Sequence, residues 1–168
     1  MTTLLLVRHG ETVDNARQVL QGQLQGELNE RGREQAHDVS MRLKDRHIDA
    51  FVSSDLKRSM DTCRIIAEPH GADIVTTPLL RERDWGSFTN CFIPDLKGKP
   101  WPDDVETLEQ IKLRAQKFLD YIRESYPDQC VLAVGHGIIN KAICSVYYGK
   151  PMNELQKMEN AEVRTLHL

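Results

Sequence analysis

His9 and His136 each end a short apolar run and are each followed by a glycine, in "LLLVRHG" and "VLAVGHG". Arg8 stands directly before the first histidine, and the stretches "AFVSSDLKRS" and "TTPLLRERDWG" carry Arg58 and Glu82 shortly after apolar runs of their own. Arginine resists burial without a partner, so a guanidinium at the end of a core strand implies an anion beside it. Two guanidiniums and two imidazoles at one point suit a small dianion, and phosphate is the dianion whose oxygens match the bidentate fork of arginine. Glu82 would add a carboxyl group able to give and take a proton. Gly10 and Gly137, having no side chains, are expected to let the backbone approach the ligand closely.

Taken singly, these residues have ordinary readings. His136 alone suits a satisfied core or surface histidine, and Arg58 suits a charge on a helix surface. Glu82, between Arg81 and Arg83, reads as a solvated residue in a run of alternating charge. Asparagine such as Asn15 commonly serves a turn or a cap. The functional reading depends on the fold bringing them together.

Short apolar, β-branched runs alternate with segments of helical periodicity, which predicts an α/β fold: a three-layer αβα sandwich with a mostly parallel central sheet. The expected strands are Thr3–Arg8, Ala50–Ser53, Asp73–Thr77, Val131–Gly135 and Arg164–Leu168. Ala36, Val39 and Leu43 recur at helical spacing, as do Leu56, Met60, Cys63 and Ile66, and both stripes are expected to face a core. The longest expected helix runs from about Asp104 to Ser125, and another follows His136 and closes at Gly149 and Pro151. Ser53 or Ser54 is expected to cap the helix carrying Arg58, adding the positive end of that helix to the field. In parallel α/β sheets the carboxyl ends of the strands open at one rim, where ligands bind. Four strand exits would thus aim Arg8, His9, Arg58, Glu82 and His136 at one place.

With those residues in view, the chain resembles the histidine phosphatase superfamily, in its phosphoglycerate-mutase-like branch, along nearly its whole length. "RHGET" with Asn15 after it resembles the opening motif of that family, and "QGQLQGELNERGREQA" the segment that follows. "SSDLKRSMDT" is similar to the second arginine motif, "LLRERDWG" to the segment bearing the acid, and "VGHG" to the late histidine motif. The resemblance implies that His9 is the nucleophile, phosphorylated during turnover, and that Arg8, Arg58 and His136 grip the phosphoryl group. It implies that Asn15 and Gly22 contact phosphoryl group or substrate and that Glu82 is the general acid and base. Gly137 is expected at the substrate from its place after His136, and Asp84 is the alternative carboxylate, although its family counterpart usually reads as structural.

Physical chemistry sets conditions on those roles. A nucleophilic imidazole must be uncharged, and Arg8, Arg58 and a protonated His136 are expected to oppose protonation of His9. A fixed cationic cradle stabilises the transferring phosphoryl group without reorganising, so neither metal nor cofactor is expected. Glu82 must be protonated when substrate arrives, and partial burial under a lid is the expected cause.

The chain departs from the family at Ile138, where a second glycine often stands, at Glu162 just past Asn160, and at "VETLEQ" in place of a Gly-Glu-Ser helix start. These departures blur the substrate. The connection around residues 86–104 is short and is expected to make only a modest lid, which favours hydrolysis over transfer by a phosphoglycerate-type mutase. A non-catalytic phosphate-binding member would have lost a nucleophile, an arginine or the acid, and all are present. Within that connection, Phe88, Phe92 and Trp101 either contact substrate or pin the loop, and Lys97 and Lys99 either meet a second anionic group or solvate it.

The gross numbers narrow the classes. A chain of 168 residues suits one domain over its whole length. The net charge of −3, with both signs spread along the chain, argues against a nucleic-acid or membrane partner; the resemblance implies a small phosphorylated metabolite as the partner. The apolar run Leu4 to Val7 is too short for a signal-peptide core or a membrane span, so a cytoplasmic protein is expected; nothing indicates the oligomeric state. Cys63, Cys91, Cys130 and Cys144 show no metal or redox spacing and read as buried free thiols, while His37, His47, His70 and His167 read as surface.

Overall fold

Leu4, Leu5, Leu6 and Val7 are all buried because their strand, β1 (Thr3–Arg8), runs through the interior of a five-stranded sheet. The computed structural model describes residues 1–168. β2 (Ala50–Ser53), β3 (Ile74–Thr76) and β4 (Cys130–Gly135) run parallel to β1, while β5 (Val163–His167) is antiparallel at the edge, in the order β3-β2-β4-β1-β5. Alternation along each strand sorts side chains to two faces. Leu4 and Leu6 of β1, with Val131 and Ala133 of β4, pack beneath α4 (Leu108–Ser125) and α5 (Gly137–Tyr148). Leu5 and Val7, with Leu132 and Val134, pack beneath α2 (Glu30–Leu43) and α3 (Lys57–Ala67). The expected three-layer architecture is therefore the one the chain adopts, with α1 (Val13–Ala16) a single turn after β1.

Boundaries differ where local contacts outweigh periodicity. β3 is shorter than Asp73–Thr77, and β4 and β5 each start one residue earlier than expected. Helix α4 begins at Leu108, not Asp104, because Thr107 caps it: the Thr107 hydroxyl accepts from the Gln110 N–H while the Gln110 side chain accepts from the Thr107 N–H. Val105 is buried from the preceding loop, which extended the apolar pattern past the true helix start. Cys63 and Cys144 are buried free thiols, but Cys91 and Cys130 are partly exposed. His70 is only partly exposed, because its ring packs on Phe51 at 5.1 Å. No helix is long and apolar enough to cross a membrane.

Residues 86–104 hold two short turns, Gly86–Phe88 and Ile93–Leu96. Backbone bonds stitch the segment to the loop after α1: Leu20 N–H donates to the Cys91 carbonyl, Asn90 N–H to that of Leu20, and Ile93 N–H to that of Gln18. Trp101 stacks on Trp85 at 5.7 Å and meets Phe88 at 5.8 Å, with the Arg83 guanidinium over both indoles. Phe88 and Trp101 thus pin this segment.

Candidate active site

β1 and β4 are neighbours, yet the chain leaves β1 toward the α2 face and β4 toward the α5 face. Such a divergence opens a crevice beyond the strand ends. The β1–β4 register pairs Arg8 with Gly135, so His9 and His136 come out of the sheet side by side, with ring centroids 5.0 Å apart. Alternation continues past the sheet: Arg8 turns to the α5 side, where its Nη1 donates to the Met158 carbonyl at 2.7 Å.

His9 is 3% exposed, Arg58 1% and His136 0%, so the centre excludes bulk water. His9 Nδ1 lies 2.7 Å from the Gly10 carbonyl, which can only accept. Nδ1 therefore carries the proton and Nε2 keeps its lone pair. Arg58 reaches back from α3 to the loop after α1, donating through Nη2 to the Gly22 carbonyl at 2.7 Å and through Nη1 to those of Leu24 and Gln25. Three of its five N–H groups are thereby used, which leaves Nε–H and one Nη2–H along one edge, the pairing that grips an oxyanion in bidentate fashion. The buried Nε atoms of Arg8 and Arg58 have no partner within the protein, and unpaired buried donors are costly unless an acceptor meets them.

A cavity of about 80 Å3 opens on Arg8, His9, Asn15, Gly22, Arg58 and Glu82, with Val19, Leu20, Trp85, Ile93 and Ile138 forming apolar walls. Asn15 also closes the capping box of α1, so its cap role and its place in the cavity coexist. His136 and Gly137 do not line the cavity but lie directly behind it. Phe92, Lys97 and Lys99 are exposed outside it, and Asp84 faces a separate acidic cleft.

Glu82 sits against the start of α5. Its Oε1 accepts from the N–H groups of Arg83 at 2.8 Å, Ile139 at 3.1 Å and Ile138 at 3.2 Å, while Oε2 shares only the Ile138 donor. Oε2 is thus the less engaged of the two oxygens. Arg114 fixes the backbone beneath: it forms a bidentate pair with Glu106 and donates to the carbonyls of Leu79, Arg81 and Glu82.

Three expectations are corrected here. Neither Ser53 nor Ser54 caps α3; Leu56 occupies that position without a side-chain bond, and the Ser54 hydroxyl instead lies 2.7 Å from His136 Nε2. Gly10 makes room not for a ligand but for the Gly32 backbone of α2, since a Cβ there would come within 2.4 Å of the Gly32 carbonyl oxygen. The protonated form expected of His136 is disfavoured: burial first, then Arg58 and His9, hold its pKa well below 6.5. His9 is likewise held well below 6.5, by burial and then by Arg58 and Arg8, while burial brings Arg58 down to about 10 and leaves it charged. Glu162 pairs with Arg164 and lies away from the cavity.

The model of the histidine phosphatase superfamily (branch 1) matches residues 4–168. The chain belongs to that family. Among histidine phosphatases, a Bacillus subtilis (strain 168) protein described as an uncharacterized phosphatase, PhoE, is 34% identical over 166 residues, covering 96% of this chain and 86% of its own. A probable phosphoglycerate mutase, GpmB, of Yersinia pestis (strain Pestoides F) is 32% identical, with 94% of this chain and 80% of its own covered. A mycobacterial glucosyl-3-phosphoglycerate phosphatase solved with VO3 superposes with a TM-score of 0.90 at 29% identity, covering 98% of this chain and 92% of that one. Family and relatives together make this chain a phosphatase of the histidine phosphatase type.

Sequence reasoning missed three residues at this histidine phosphatase site. Ser54 was visible only as a cap candidate, and Arg114 acts across a distance that no local pattern encodes. Lys157, which lines the cavity, stands in an ordinary charged stretch.

The depressed histidines make stability depend on pH. Between their folded values and about 6.5 the unfolded chain binds more protons than the folded one. This stabilisation is complete above about pH 6.5 and is lost as pH falls below it, by up to about 1.4 kcal/mol per pH unit for each histidine. Urea midpoints should therefore drop between about pH 7 and about pH 5, and His136→Asn should flatten that slope.

Proposed function

We propose that this chain hydrolyses a small phosphomonoester, without a metal, through a phosphohistidine on His9. One observation carries the reading: a buried imidazole with Nδ1 pinned to a carbonyl faces the same small cavity as two guanidiniums whose buried Nε donors have no protein partner. His9 Nε2 attacks phosphorus, the P–N bond forms as the ester P–O bond breaks, and the leaving oxygen takes the proton of Glu82. A water then gives its proton to the Glu82 carboxylate and its oxygen to phosphorus, releasing phosphate and restoring His9. Arg8 and Arg58 balance the charge on the equatorial oxygens throughout. Neutral His136 supports the His9 ring from behind and, with Nε2 engaged by Ser54, directs Nδ1 away from that bond.

Hydrolysis is favoured over transfer because the short 86–104 segment contributes only Ile93 to the cavity wall, too little to seal its mouth against the one water that the second step needs. The GpmB likeness keeps phosphoglycerate transfer as the second reading. One set of assays in excess chelator tests both. Wild type should release phosphate from para-nitrophenyl phosphate and from alkyl phosphates, and should do so from 3-phosphoglycerate faster than it isomerises it. Glu82→Gln should lose about 100-fold on an alkyl phosphate and far less on para-nitrophenyl phosphate, whose leaving group needs no proton. Loss of all turnover in chelator, or equal losses on the two esters, contradicts the reading.

A further inference from the structure

Lys157 belongs to no motif that carries the phosphoryl chemistry, yet its side chain reaches the cavity. It arrives on the irregular segment before β5 whose Met158 carbonyl receives Arg8. A Cβ on Gly137 would lie 2.5 Å from Lys157 Cε, 3.3 Å from its Nζ and 3.4 Å from Arg8 Cζ, so the ammonium and the guanidinium share the space that this glycine leaves open. The ammonium forms no ion pair with any carboxylate of the chain. It is exposed at the mouth, yet the protein crowded round it lowers its pKa, as does Arg8; Glu82 acts in the opposite sense, Lys141 lowers it further, and Glu159 also opposes.

Charge then has to balance. On the reading proposed above, on which this inference rests, Arg8 and Arg58 match the two charges of a phosphomonoester. Lys157 adds a third cation at the cavity, one that the phosphoryl group itself does not require. A single charge beside a narrow cavity fits a carboxylate better than a second phosphoryl group.

We propose that Lys157 determines specificity by binding a carboxylate that the phosphomonoester carries a few bonds from its phosphorus.

The test compares 3-phosphoglycerate with glycerol 3-phosphate, which lacks the carboxylate. Wild type should prefer the former in kcat/KM, and Lys157→Met should erase at least about tenfold of that preference, the effect of one charge-assisted hydrogen bond. Lys157→Arg should restore most of it, and Lys157→Gln serves as a second neutral variant. Equal losses on both esters, or a preference that survives both neutral variants, overturn the proposal. If neither ester is turned over by wild type, the phosphatase reading has failed instead. Calorimetric binding of the same two esters to wild type and Lys157→Met then decides the role of Lys157 by the same ratio.

Discussion

His9→Ala should lose at least about 10^4-fold in kcat while still binding phosphate or vanadate. No other side chain can take over. His136 is the other imidazole at hand, but it lies behind the cavity with Nε2 engaged by Ser54. Arg8 and Arg58 remain in place, and they supply most of the charge that an oxyanion meets. Rapid quenching of wild type with labelled substrate should trap an acid-labile, alkali-stable phosphoryl group on the protein, and His9→Ala should trap none. Residual turnover of one part in a hundred, or label retained in the variant, would falsify the assignment of the nucleophile.

Arg58→Ala should cost about 10^3-fold in kcat/KM and also about 3 kcal/mol of stability, because this side chain does two jobs. One edge of its guanidinium faces the cavity, and the rest is spent on the carbonyls of Gly22, Leu24 and Gln25. Removing it strands those carbonyls and leaves a large void, since Arg58 is among the bulkiest fully buried residues. Arg58→Lys should rescue little of either loss, as an ammonium cannot span the carbonyls and present a fork at once. Steady-state kinetics with urea denaturation of both variants separates the two effects. A lysine variant close to wild type in both would show that a point charge suffices.

Much of this site was legible because strands and their exits are local signals. Leu4 to Val7 read as a buried strand, and the ends of β1 and β4 named His9 and His136 directly. The α/β pattern then implied a shared rim for residues far apart in sequence. What escaped depends on contacts across the fold. Whether Ser54 caps a helix or bonds a histidine is decided by the placement of β4 beside β2, and the gap next to Gly137 is given meaning only by a lysine that arrives twenty residues later in the chain. The premature start assigned to α4 has the same origin: Val105 is apolar because a loop folds inward there, and periodicity cannot tell that from a helix. Lys97 and Lys99 were the lysines in view for a second anion, yet they point outward on the segment that Trp101 pins.

The stitch between residues 18–20 and 90–93 also divides the chain by how freely it can change. Inside it, Leu20 and Ile93 form walls of the cavity, held in register by main-chain bonds that depend little on side-chain identity. Beyond it, residues 94–100 project into solvent with only Leu96 partly covered. That outer turn can lengthen, shorten or acquire new contacts while the seam absorbs the disturbance, which makes it the natural place for divergent descendants of this scaffold to acquire new substrates without rebuilding the reacting centre.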